Sequence, residues 1–245
     1  MKEEYIFGIR PVLEALKAGE TLDKIFVQSG LQGENILELK QKLARAKLRI
    51  NYVPQEKLNR LTRKNHQGVV AFLSPIVFND IEKLLPKILE EQKNPIFLIL
   101  DRLTDVRNFG ALCRTAECAG VSAIIIPERG AAPIGSDSIK TSAGALFNIK
   151  ICKEKNLAHT LDFLQQSGIL VYSCTEKAQK LVYQVDFSEP CALVLGNEET
   201  GISKELLHHS DEKIKLPIYG KTQSLNVSVA GGAILYEALR QRLNS

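Results

Sequence analysis

None of the sixteen glycines in this 245-residue chain stands two positions from another. The GxGxxG turn that opens a dinucleotide-binding Rossmann domain is therefore absent. A phosphate-binding P-loop is missing as well: Gly196 and Gly201 supply its GxxxxG half, but Ile202 and Ser203 stand where that loop needs Lys and Ser or Thr. Glu198 and Glu199 within the same stretch would repel a triphosphate. The five cysteines are odd in number, scattered and without a CxxC, which excludes a disulfide framework or a zinc site as the organising feature. His208 and His209 are neighbours, so on a helix they point about 100° apart and cannot converge on a metal. No apolar run approaches the roughly 20 residues of a membrane helix. The start, MKEEYIFGIR, has acids where a signal peptide needs a basic region. A cytoplasmic protein with no metal and no membrane contact is expected.

What is present is a lopsided charge. The chain carries a net +4, yet the stretch from Lys40 to Lys64 holds nine basic residues against the single acid Glu56. That window sums to +8 (nine minus one), which leaves −4 for the rest. A solvated helix face normally interleaves acids with lysines. Here it does not, and a polyanion-binding surface is the favoured reading. Lys42, Arg45, Arg49, Arg63 and Lys64 are its candidate contacts.

Two α/β patterns follow one another. Residues 1–74 read as a small module: a helix with Pro11 near its start and Gly19 as its stop, the strand KIFVQ, a helix from Glu34 to Leu48, then the strands RINYV and VVAFL. Residues 75–95, bounded by Pro75 and Pro95, read as a linker with one helix. From residue 96 to 245, short apolar strands (IFLIL, AIIIP, ILVYS, CALVL) alternate with helical stretches, the pattern of a buried parallel sheet. The last helix, from about Leu225 to Leu243, contains Ala230, Gly231, Gly232 and Ala233, small residues that suit close packing against another backbone.

Ligands of such sheets bind beyond the carboxyl ends of the strands, and three polar clusters fall there. In DRLTDVRNFGALCRTAECAG, Asn108 can cap a helix beginning near Phe109, and Arg114 follows on an otherwise small, apolar surface. An arginine so placed is either a snorkelling surface residue or a functional one. LVLGNEETGIS brings Gly196 and Glu198. LPIYGKTQSLNVSVA brings Ser224, which a plain N-cap role would explain, and Asn226, which such a role explains less well.

NFGALCRTA, LVLGNEETGIS and LPIYGKTQSLNVSVA, in that order, resemble the SpoU (TrmH-type) branch of the SPOUT RNA methyltransferases. GIRPVLEAL and HQGVVA are similar to the substrate-binding domain of that family. The resemblance implies an α/β fold: a small ribosomal-protein-L30-like RNA-binding domain, then a SPOUT domain whose parallel sheet carries a deep trefoil knot. It also implies S-adenosylmethionine as cofactor, held by main-chain groups at Gly196, Leu216 and Leu225, with Thr175 and Ile218 beside them. A loop that holds a sulfonium cation has no reason to exclude carboxylates. Arg114 matches the catalytic arginine of the family, and Asn108, Glu198, Ser224 and Asn226 match its other polar positions, with Asn108 and Glu198 expected to brace Arg114. The implied reaction is methylation of a ribose 2′-hydroxyl, of a guanosine in 23S ribosomal RNA, by a homodimer. Transfer RNA is the rival substrate, and an inactive RNA-binding protein on the same scaffold is the rival of another class.

Overall fold

The computed structural model describes residues 5–46 and 48–243 and divides into two compact units, residues 1–77 and 78–245. Lys47, part of the basic stretch, lies outside the described residues. The first unit runs β1 (Tyr5–Phe7), α1 (Ile9–Lys17), β2 (Leu22–Gln28), α2 (Glu34–Arg45), β3 (Ile50–Val53), α3 (Gln55–Leu61) and β4 (Val69–Leu73). Its sheet has the order β1-β4-β2-β3. Side chains alternate across a strand, and the two faces are covered differently. Ile25, Val27, Val69 and Ala71 pack with Val12 and Leu13 of α1 and with Ile36, Leu39 and Leu43 of α2. On the opposite face Val53 and Val70 form a smaller cluster with Leu58 and Leu61 of the short α3 and with Phe7, Phe26 and Phe72.

The second unit runs β5 (Phe78–Asn79), α4 (Ile81–Glu91), β6 (Ile96–Leu100), α5 (Val106–Cys118), β7 (Ala123–Pro127), α6 (Ser136–Thr141), β8 (Ile151–Glu154) and α7 (Leu157–Gln166). It continues through β9 (Leu170–Cys174), β10 (Lys180–Leu181), β11 (Cys191–Leu195), α8 (Lys204–His209), β12 (Glu212–Lys215) and α9 (Val227–Leu243). The eight strands form one parallel sheet in the order β10-β12-β9-β11-β6-β7-β8-β5. β6 and β11 sit at its centre with every residue buried, which is why IFLIL and CALVL are apolar throughout rather than alternating. From β6 the chain steps outward through β7 and β8, then returns on the other side of β6. The switch point therefore lies between β6 and β11, where ligands of such sheets bind.

The expected linker is not one. Phe78 and Asn79 pair with Ile151 and Cys152 of β8, and Ile81, Leu85 and Ile88 of α4 are buried in the core of the second unit. The apolar stripe of α4 draws the segment onto the sheet, and the Pro boundaries only mark its turns.

On the opposite face, α5 and α9 pack together. A Cβ at Gly231 would lie 2.5 Å from Leu112 and 2.7 Å from Leu195, so the small residues of α9 serve close packing inside this chain. At its far end Arg242 donates to the main-chain oxygens of Phe187, Glu189 and Asn94. Glu237 accepts from Arg240 at 2.8 and 2.9 Å and from Gln241 at 2.9 Å, and these bonds hold its carboxyl down at about 2, below the ordinary 4.5. A lowered pKa contributes stability above the ordinary value, and that contribution is lost as pH falls through the folded one. Thermal melts between pH 4.5 and about 2 should therefore fall more steeply for the wild type than for Glu237→Gln.

Candidate functional site

The carboxyl ends of β6, β11, β9 and β12 carry Asp101, Gly196, Thr175 and Leu216 as the first residues beyond each strand. Those strands are neighbours, so one edge of the sheet collects residues far apart in sequence. Thr175 is tied to that edge by its amide, which donates to Ile214 at 2.9 Å. Ile218 and Leu225 lie farther along the loop between β12 and α9, both exposed.

Asp105, not Asn108, caps α5: its carboxylate accepts from the amide of Asn108 at 2.8 Å. The helix starts three residues earlier than the sequence suggests, and this frees the Asn108 side chain to reach across the sheet edge. Its Nδ2 donates to Glu198 at 2.8 Å, and its Oδ1 accepts from Nδ2 of Asn226 at 3.0 Å. An ionised carboxylate can only accept, so Glu198 sets the direction of both amides. Asn226 then presents its own oxygen to the amide of Ser228 at 2.9 Å and to that of Val229 at 3.4 Å. Asn226 is thus the cap of α9, which begins at Val227 rather than Leu225, and Asn suits that position. Ser224 is exposed in the loop before it and makes no side-chain hydrogen bond among the described residues. Glu198, Asn108 and Asn226 link two loops through the first turn of α5 in one directed chain.

Arg114 stands on the exposed side of α5, six positions past Asn108 and so about 240° around the helix from it. It has no hydrogen bond or ion pair among the described residues, so the bracing expected from Asn108 and Glu198 is absent: those two bond each other instead. The guanidinium is left available. Arg107, seven positions earlier on the same exposed face, adds a second cation that sequence reasoning overlooked.

Sequence reasoning also missed the group that shapes the loop. Asp101 is buried; its carboxylate accepts from the amide of Ser203 at 2.6 Å and from Nε of Arg102 at 3.0 Å. Arg102 also donates to the carbonyl of Gly201 at 3.3 Å, and Asn197 donates to the carbonyl of Arg102 at 3.0 Å. Residues 197–203 are thereby bound to the end of β6. The available signal was the aspartate ending IFLILD, since a carboxylate carried into a core by an apolar strand requires partners. Two thiols of the sheet are kept neutral: burial pushes that of Cys191 up to about 11 and that of Cys152 to about 12, far from the thiolate that nucleophilic or metal chemistry needs.

In the first unit the basic stretch does not form one face. Lys42 and Arg45 belong to α2 on one side of the sheet, while Arg63 and Lys64 follow α3 on the other. Lys42 is already paired with Glu38 at 3.2 Å, an acid just outside the counted window. Arg49, ahead of β3, is exposed.

Comparison with known proteins identifies the family and the fold. Residues 95–236 match the family model of the SpoU rRNA methylases, and residues 5–77 match that of the RNA 2′-O ribose methyltransferase substrate-binding domain. The chain is 35% identical over 244 residues to YacO of Bacillus subtilis (strain 168), named as a member of the TrmH tRNA/rRNA methyltransferase family, covering 98% of this chain and 97% of that protein. Among solved structures, the SpoU methyltransferase AviRb from Streptomyces viridochromogenes, in complex with AdoMet, shares the fold. Its TM-score is 0.64 at 24% identity, over 99% of this chain and 92% of that one. The A. aeolicus TrmH/SpoU tRNA modifying enzyme aligns at a TM-score of 0.57 and 33% identity, over 67% of this chain and 85% of that one.

Proposed function

Because the chain belongs to the SpoU rRNA methylase family of RNA methyltransferases, we propose that it transfers a methyl group from S-adenosylmethionine to a ribose 2′-hydroxyl, with a guanosine of 23S ribosomal RNA as target. The observation that carries this reading is the Glu198–Asn108–Asn226 chain, which joins two loops to the first turn of α5 at the switch point, on the helix that also bears Arg114, an arginine without a partner among the described residues.

The residues present suit that cofactor. Among the described residues, the main chain from Pro217 to Leu225 makes no hydrogen bond to other main-chain groups, leaving amides and carbonyls for an adenine. Glu198 suits a sulfonium and would disfavour a phosphate. Gly196, Leu216, Leu225, Thr175 and Ile218 are the residues that would hold it. When bound, S-adenosylmethionine supplies an electrophilic methyl group. The chain's own part is to position the hydroxyl and to stabilise negative charge on its oxygen as the proton leaves. Arg114 is the group we assign to that task, as a positioning and electrostatic residue rather than a base, because a guanidinium holds its proton too tightly to exchange it. A deep trefoil knot at this edge of the sheet is part of the same reading, and it rests on the family resemblance.

The enzyme is read as a homodimer through α9. Val229, Tyr236 and Leu243 are exposed at seven-residue spacing, one apolar stripe along the helix. The choice of ribosomal over transfer RNA rests on the GIRPVLEAL and HQGVVA stretches of the first unit. Transfer RNA is the second reading, favoured by the likeness to the A. aeolicus tRNA modifying enzyme.

Methyl-labelled S-adenosylmethionine incubated with unmodified 23S, 16S and transfer RNA, followed by digestion to nucleosides, tests the proposal. Label is expected as 2′-O-methylguanosine from 23S RNA. Label in transfer RNA would replace the substrate and keep the chemistry. A protein that binds RNA and transfers no label would be a binding module instead.

A further inference from the structure

The face of the first unit's sheet that α3 leaves partly open carries aromatic rings where an outer face of an α/β unit is ordinarily polar. Tyr5 pairs across β1 and β4 with Phe72, and Phe7 and Phe26 both pair with Val70, so all four rings project to the same side. Tyr5 lies 5.8 Å from Phe72 and 6.3 Å from Phe7, and Phe26 lies 6.1 Å from Phe72. Leu58 and Leu61 of α3 pack against part of this cluster, but α3 has only seven residues. Tyr5 remains 37% exposed, and the three phenylalanines are half-buried. Two lysines stand over the rings: Lys64 lies 5.6 Å from the centre of Phe7, and Lys57 lies 5.4 Å from that of Phe26. Both are exposed, and neither forms a salt bridge among the described residues.

We propose that this sheet face is a stacking platform for unpaired bases of the RNA substrate, with Tyr5, Phe7 and Phe72 receiving the bases and Lys57 and Lys64 the adjoining phosphates. It rests on the reading that the substrate is RNA. Three things select that occupant over another protein. The accessible apolar surface is mainly flat rings: of the aliphatic side chains in the cluster, Val53, Leu58 and Val70 are buried and Leu61 is half-buried. Its cations sit where a stacked strand would place its backbone. Arg60 and Arg63 extend the positive charge beside it, with Glu56 the one acid of α3. Base–aromatic stacking is tolerant of sequence and needs single strands, because duplex bases hide their faces. The basic residues of α2, on the other side of the sheet, offer charge with one exposed ring among the described residues, Tyr52, under Lys40.

The test uses the full chain, a fluorescein-labelled single-stranded oligouridine and a duplex RNA of equal length. Tyr5→Leu combined with Phe72→Leu keeps the apolar bulk and removes the flat faces. Single-strand affinity should fall by about tenfold or more, while duplex affinity changes by about twofold at most. Ultraviolet crosslinking of a thiouridine-bearing strand should map to the peptides holding Tyr5 and Phe72. Unchanged single-strand affinity, or an equal loss on both RNAs, overturns the platform. A wild type that runs as a larger species, which the leucine variant dissociates, overturns it in favour of a second protein copy on this face. Should the double variant misfold, Lys57→Gln with Lys64→Gln on exposed positions decides: weaker single-strand binding with a salt slope shallower by about 1.4 is expected, and wild-type affinity refutes the proposal. If the wild type binds no RNA, both this proposal and the substrate reading fail. If it methylates RNA and the variants bind normally, only the platform fails.

Discussion

Arg114→Ala should lose methyl transfer by about 10²- to 10³-fold while binding S-adenosylmethionine within about twofold of the wild type, because the loss is that of one preorganised donor at developing charge. The structure gives two reasons to separate these readouts. Arg114 lies on the exposed side of α5 and bonds to none of the described residues, so its removal leaves no buried partner unsatisfied. The residues assigned to the cofactor come instead from the loops after β9, β11 and β12. Arg114→Lys is the informative companion: it keeps the charge and loses the planar fork, so a rate between those of wild type and alanine variant indicates bidentate positioning. Single-turnover kinetics with saturating RNA, together with a cofactor titration, measure both quantities. A wild-type rate in Arg114→Ala would remove it from the mechanism.

Gly196→Ala should be the most damaging single-methyl change in the second unit. A Cβ there would enter the backbone of Gly201 and Ile202, with the carbonyl oxygen of Gly201 only 2.6 Å away. That backbone cannot retreat cheaply. Asp101 holds Ser203, Arg102 holds Gly201, and Asn197 and Gly201 exchange main-chain hydrogen bonds at 2.9 and 3.2 Å. Overpacking costs about 1–3 kcal/mol where side chains can adjust. Here the obstacle is backbone, so a loss of about 3 kcal/mol or more is expected, along with loss of cofactor binding. Gly232→Ala is the contrast, because its Cβ would meet Thr115 at an ordinary 3.5 Å. In a helix interior that change should be neutral or stabilising by about 0.5–1 kcal/mol. Thermal melts of the two variants, with a cofactor titration of each, decide whether the loop or the helix tolerates a methyl.

The parallel sheet was legible because β6, β7 and β11 are apolar runs of five residues and β9 departs from that only at Ser173, a pattern that suits strands buried on both faces. β5, at the sheet edge, was not. Two residues with half-buried side chains leave no periodicity to detect. The polar site residues could be named from their motifs, but not who bonds whom. Asn108 meets Glu198 across 90 positions and Asn226 across 118, and no local spacing encodes such pairings. Both helix starts were misplaced for a related reason. A segment rich in Ser, Asn and Asp offers several plausible caps, and the choice between Asp105 and Asn108, or Asn226 and Ser224, follows from what each side chain meets on other loops. The charge count along Lys40–Lys64 likewise could not reveal that the sheet passes between its two halves.

The Asp101 carboxylate has a consequence for how the second unit reaches its native state. It closes on Ser203, 102 positions away, and Asn226 closes on Asn108 across a longer interval still. Contacts between such distant segments form late, after the loop-closure entropy between them has been met. β6, β7 and α5 can associate as soon as they are made, whereas the site at their carboxyl edge must wait for the last fifth of the chain. A nascent or truncated molecule would therefore hold much of the sheet with no means of binding its ligands. Activity would appear last, as a report that folding is complete.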